Sequence, residues 1–209
     1  MIPQRFVTEY PHRCGQLLQE MEEGARHRDL LGSFALLVAS AAFTIPFGRM
    51  TEEKHPIGKP ERHLFQAIEG LEKRPFLDAP FLDRTKHMFF RYAEISTKQP
   101  EHAASWRNAA GVHPIKSSEV ADGKTVLKAV RNALAHGNII YLDESGEEKP
   151  GKRLHYIAFL SERRHRNCIV GYRVVIFDEE SFLGLLKSWI AWLQTFPPET
   201  TLSFSEAAD

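Results

Sequence analysis

The chain has 209 residues, 43% of them hydrophobic and 26% charged, enough for one domain with a continuous core and too apolar to stay unfolded. Its 27 Lys and Arg balance 27 Asp and Glu, so no global basic field recruits nucleic acid, and any such binding has to come from a local patch. The two cysteines, Cys14 and Cys168, form no CxxC pair, and the charged N-terminus carries no apolar run of the secretory kind, so a cytoplasmic setting is expected.

In chain order, the first half reads as helices. Leu17, Leu18, Met21 and Ala25 recur at helical spacing over about 11–25, before Gly24 and the charged run 26–29 mark a break. The uncharged stretch LLGSFALLVASAAFTIPFG (30–48) predicts a second helix that ends near Thr44, ahead of Pro46. Its usable length of about 15 residues falls short of the roughly 20 a bilayer needs, so it reads as the central helix of a bundle. A loop over 49–62 leads to a short helix over 63–73 with Leu64, Phe65, Ile68 and Leu71 on one face. PFLDAPFLD (75–83) echoes itself, but two copies of five residues make no repeat architecture. Asp78 reads as the N-cap of a helix with Pro80 in its first turn, continuing through Phe81, Leu82, Met88, Phe89 and Tyr92. A helical turn is expected around 103–109, and a final bundle helix over about 122–136.

Beyond residue 137 the period shortens to two. Segments 138–143, 153–161 and 168–177 are rich in β-branched and aromatic residues, and ESGEEKPGK and ERRHRN read as the turns of an antiparallel meander. Asp178 can cap a terminal helix over 179–196, whose apolar positions include Phe182, Leu185, Leu186, Trp189, Ile190 and Leu193. Trp106, Trp189 and Trp192 read as packing residues. The expected architecture is therefore a mainly α single domain over 1–209: a helical bundle over about 9–137, then a small C-terminal three-stranded antiparallel β-meander and a terminal helix over about 138–197.

The helix over 122–136 carries the sequence VRNALAHGNI (130–139) at its end. At 100° per residue, Val126, Leu127, Val130, Ala133 and Leu134 form a buried stripe, with Lys124, Lys128, Arg131 and Asn132 on the opposite face. Asn132 and His136 are four apart and adjacent on one surface. Arg131 and His136 lie about 140° apart on an ideal helix, so one helix alone does not aim both at a common atom. Two routes remain: a long arginine reaching a His136 that Gly137 leaves free at the helix end, or two copies meeting across a symmetric interface, each supplying an Arg and a His. A basic last turn followed by Gly137 also fits an ordinary capped helix end.

Arg131-Asn132-Ala133-Leu134-Ala135-His136, late in a helix, resembles the signature of the HEPN superfamily: an Arg, a polar residue such as Asn, and a His after a short spacer. The apolar helix ending in TIPF and the hairpins after the motif are similar to a plasmid-borne prokaryotic branch of that superfamily. The resemblance implies an HEPN-like helical bundle and a metal-independent endoribonuclease that uses no cofactor. It also implies a homodimer in which two motifs face one composite cleft, with RNA as substrate and an antitoxin protein as a further partner. The chemistry suits the residues. His136 can act as acid or base near neutral pH, Arg131 offers planar donors to phosphate oxygens, and Asn132 can orient His136 or the phosphate. Some members use an acidic residue near the start of the second helix; Asp29, with Glu22 and Glu23 behind it, is the nearest counterpart. Other members are non-catalytic nucleotide- or RNA-binding or protein-interaction modules, in which Arg131 and His136 would hold a phosphate or a dimer.

No HExxH, cysteine pair or close histidine pair suggests a metal site, and Asp78 and Asp83 read as a cap and a surface charge. Segment 124–173 holds ten Lys or Arg against five Asp or Glu, whereas 174–209 holds one Lys against six acidic residues. Lys124 and Lys128, on the motif's own face, are the candidate RNA contacts. Arg163, Arg164, His165 and Arg166 read first as a solvated hairpin tip and second as phosphate contacts.

Overall fold

The structure, a computed structural model, describes residues 6–51, 62–83, 85–96 and 120–196. Over these residues the chain forms α1 (Phe6–His27), α2 (Leu31–Thr51), α3 (Arg62–Glu69), β1 (Phe90–Ser96), α4 (Gly123–His136), β2 (Ile139–Leu142), β3 (Tyr156–His165), β4 (Cys168–Asp178) and α5 (Glu179–Gln194). The four strands make one antiparallel sheet in the order β1-β4-β3-β2. This corrects the expected mainly α bundle with a three-stranded C-terminal meander. The sheet has a fourth strand, and that strand comes from the middle of the chain, inside the region read as bundle.

The physical reason lies between residues 76 and 96. A single 3₁₀ turn spans Phe76–Asp78, and the Asp83 carboxylate accepts from the Thr85 backbone N–H at 3.0 Å and from its hydroxyl at 2.6 Å. That local turn replaces helix propagation. From Phe90 the side chains alternate between the two faces of the sheet, and the segment pairs with β4 from Phe90↔Phe177 to Ser96↔Gly171. Apolar residues at 81, 82, 88, 89 and 92 fit a helical period, but the aromatic β-formers behind them have a partner strand to join.

Phe90 and Tyr92 of β1, Ile157 and Phe159 of β3, and Val175 and Phe177 of β4 point into the main core, together with Val126 and Val130 of α4 and Phe182 and Trp189 of α5. Ile95, Leu142, Ala158, Val174 and Ile176 form a second cluster on the other face of the sheet.

Helix limits also differ from the reading. α1 begins before Pro11 and runs to His27. It closes in a Schellman motif, with Asp29 in the left-handed region (φ 59°), its N–H on the Arg26 carbonyl at 3.1 Å, and the Leu30 N–H on the Ala25 carbonyl at 2.9 Å. α2 does not stop at Pro46 but continues to Thr51. A proline there deprives the Ala42 carbonyl of its helical donor. The indole N–H of Trp189 donates to that carbonyl instead, at 3.1 Å in the core. The ERRHRN stretch is mostly strand: β3 reaches His165, and only Arg166 (φ 47°) and Asn167 (φ 67°) form the two-residue turn.

Trp189 packs as expected, with its ring 5.2 Å from Phe43 and nearly parallel to it. The helical turn expected around 103–109 and Trp106 lie outside the described residues. Among the described residues no helix is long and apolar enough to cross a membrane.

Candidate active site at the end of α4

Asp122 caps α4, accepting from the Thr125 N–H at 2.8 Å, and Gly137 ends it in the left-handed region at φ 70°. The Asn138 N–H closes back on the Ala133 carbonyl at 3.0 Å. Val126, Leu127, Val130, Ala133 and Leu134 are buried as the helical wheel predicts. This anchored stripe fixes how the opposite face meets the sheet.

On the core side of the sheet, three strands change from apolar to polar at the same level. Tyr92 gives way to Glu94 on β1, Val175 to Arg173 on β4, and Phe159 to Ser161 and then Arg163 on β3. The register aligns Glu94 with Arg173 and Arg173 with Ser161. Glu94 accepts the Tyr92 hydroxyl at 2.8 Å, Arg173 Nε at 3.2 Å and Arg163 Nη1 at 2.7 Å. Partial burial alone would raise the Glu94 carboxyl, but the Tyr92 and Arg173 hydrogen bonds and the charges of Arg163 and Arg173 outweigh it and hold it below its ordinary value. Burial, then the Glu94 carboxylate, push the Tyr92 phenol well up.

Arg131 and Asn132 sit half-buried beside this polar level. The Asn132 side-chain amide donates to Ser161 Oγ at 3.2 Å, and its carbonyl oxygen accepts Arg131 Nη1 at 3.0 Å. Ser161 is only 2% exposed and is the single fully buried polar residue among the described ones. Arg131 Nε is sealed from solvent and has no hydrogen-bond partner. His136 is exposed at the helix end, and the Arg131–Asn132–Ser161 chain does not include it.

The structure therefore joins two of the three motif residues and leaves the third apart. Lys124 is committed elsewhere, to Glu69 at 2.8 Å and to Glu72; burial works against its charge, but these carboxylates prevail and raise its pKa. Lys128 is exposed on the same helix. Asp29 pairs with Arg153 at 3.0 Å, and Glu22 pairs with Arg26 and Lys187. Of the basic run, Arg163 faces Glu94, and Arg164 pairs with Glu162 at 2.7 Å. Sequence reasoning missed Ser161, Glu94 and Arg173. The one available signal was the β3 row Ile157, Phe159, Ser161, in which a small hydroxyl follows two large apolar residues.

Among the described residues no three His, Cys, Asp or Glu side chains are grouped to hold a metal ion. A cleft of about 390 Å³ between α1 and α5, lined by His12, Gln16 and Lys187 over Leu18 and Ile190, contains no motif residue. No family model, curated protein or solved structure matches the chain. These comparisons lend no support to the HEPN resemblance.

Proposed function

We propose that the protein is a metal-independent endoribonuclease of the HEPN type, acting in the cytoplasm as a homodimer, in phage defence or as a toxin held by an antitoxin. The observation that carries this reading is the hydrogen-bonded Arg131–Asn132 pair, placed one turn before an exposed His136 at the glycine-capped end of α4. The RNA 2′-oxygen attacks the adjacent phosphorus, the bond to the 5′-oxygen breaks, and the products are a 2′,3′-cyclic phosphate and a 5′-hydroxyl. Arg131 supplies fixed positive charge to the phosphorane oxygens, and His136 moves a proton to or from one of the two sugar oxygens. The geometry within one chain keeps His136 out of the Arg131–Asn132 network, which favours a cleft completed by a second copy. Arg163 and Arg173 share the single Glu94 carboxylate, and with exposed Lys128 they leave an excess of positive charge that a phosphodiester chain could use.

Purified protein incubated with RNA in EDTA is expected to leave 2′,3′-cyclic phosphate ends. His136→Ala is expected to lower the rate by about a hundredfold or more, the scale of a lost general acid or base. Equal cleavage by the two proteins overturns the reading. Sedimentation at micromolar concentration is expected to show a dimer, and a monomer that cleaves would overturn the composite cleft.

A further inference from the structure

We infer that Ser161 is a positioning residue for the motif: it sets the Asn132 amide, and through it Arg131, from the far side of the sheet–helix junction. The inference rests on the ribonuclease reading for its kinetic consequence but not for its geometry. Ser161 stands where the core-facing row of β3 changes from Ile157 and Phe159, both fully buried, to the charged Arg163. Nothing in the packing of that row calls for a hydroxyl, and a buried hydroxyl without a partner is costly. Its oxygen takes the Asn132 N–H at 3.2 Å.

Arg131, which can only donate, decides which way the amide faces, and the Ser161 hydroxyl, which can accept or donate, pins it there. With Nδ2 on Ser161, Oδ1 is turned to the guanidinium, where it accepts Arg131 Nη1 at 3.0 Å. The reverse orientation would set an amide N–H₂ against a guanidinium, donor against donor. Each link in the chain satisfies the next, so the strand anchors the amide, and the amide holds one end of the arginine. Arg131 Nε has no partner, so this single contact is the hydrogen bond that keeps the guanidinium in place among the described residues. A loosened arginine would still bind phosphate by charge but would no longer present a fixed plane of donors to the transition state.

Ser161→Ala is expected to lower kcat for RNA cleavage roughly tenfold, the scale of one well-placed hydrogen bond, and to leave KM within about twofold. Ser161→Thr, which keeps the hydroxyl, is expected to restore most of the rate. Asn132→Ala and the Ser161→Ala/Asn132→Ala double variant are expected to be equally slow, because Ser161 acts only through Asn132. Thermal melting of each variant separates positioning from unfolding. A readout without turnover keeps the positioning claim apart from the ribonuclease reading: in ¹H–¹⁵N spectra the Asn132 side-chain amide signals should shift in Ser161→Ala and return in Ser161→Thr. Should wild type leave RNA intact while these signals still respond, the ribonuclease reading falls and the positioning stands. Fully additive kinetic losses, or Asn132 signals indifferent to Ser161→Ala, overturn the positioning role.

Discussion

Arg131 carries an unpaired Nε in a position closed to water. A buried donor left without a partner costs about 1–3 kcal/mol, so an apolar side chain of similar size would suit the fold better there. An arginine there is a local conflict between side chain and packing, which the phosphate-binding role proposed for Arg131 would account for. Gly137 answers a different demand. Its φ of 70° lies in the left-handed region, and a Cβ built on it meets no atom within 4 Å. Gly137→Ala should therefore cost backbone strain only, about 1 kcal/mol in urea denaturation, with Gly137→Asn costing less. A loss of several kcal/mol would mean that the helix end is packed after all. Gly137 was legible in the sequence because a helix C-terminus announces itself within a few residues. Ser161 was not, because its burial and its partner depend on a strand register that no local pattern records.

At the scale of elements, α2 shows why a proline is an unreliable stop signal. Pro46 cannot donate to the Ala42 carbonyl, yet the helix continues because Trp189, 147 residues away from Ala42, donates in its place. Trp189→Phe keeps the stack on Phe43 but removes that donor, and should cost about 1–3 kcal/mol from the orphaned carbonyl. In a Pro46→Ala background the restored backbone N–H can take over, so the same Trp189→Phe change should cost less there, by about 1 kcal/mol. The four proteins of this cycle can be compared by denaturant unfolding, and strictly additive costs would show that the indole does not compensate for the proline. β1 was lost to the sequence reading for a related reason. Its apolar and polar residues alternate only over Phe90–Tyr92 before the pattern breaks at Ala93, apolar residues upstream also fit a helical period, and only pairing with β4 decides between the two. The cap at Asp178, made by neighbours in sequence, was legible, whereas the expected turn over ERRHRN is mostly strand and the sheet it belongs to has four strands.

Across the whole molecule, two ion clusters tie elements that are far apart in the chain. Arg26 and Lys187 hold Glu22 and Glu180 between α1 and α5, and Arg163 and Arg173 hold Glu94 across β3, β4 and β1. Burial works against the charge of both Glu94 and Glu22, yet the Tyr92 hydrogen bond with Arg173 and Arg163 for the one, and Lys187 with Arg26 for the other, lower both below the ordinary 4.5; Glu180 is lowered chiefly by its hydrogen bond from Arg26. A carboxyl whose folded pKa lies below its unfolded value contributes stability that is present above the unfolded value and is lost as pH falls through the folded one. Glu179 has the opposite sign: burial raises it, although its carboxylate accepts the Gly32 N–H at 3.0 Å at the start of α2. Proton uptake by Glu179 relieves that burial and adds stability as pH drops toward its raised value. Unfolding midpoints measured from pH 7 to pH 3 should therefore rise slightly, pass through a maximum above pH 4.5, and then fall. Glu179→Gln should remove the rise and leave the acid limb. Glu94→Gln should make the acid limb shallower, because one of the groups that must take up a proton on unfolding is gone. An acid limb of unchanged slope in Glu94→Gln would mean that the arginine-bound carboxylate beside the motif contributes nothing to holding β1, β3 and β4 together.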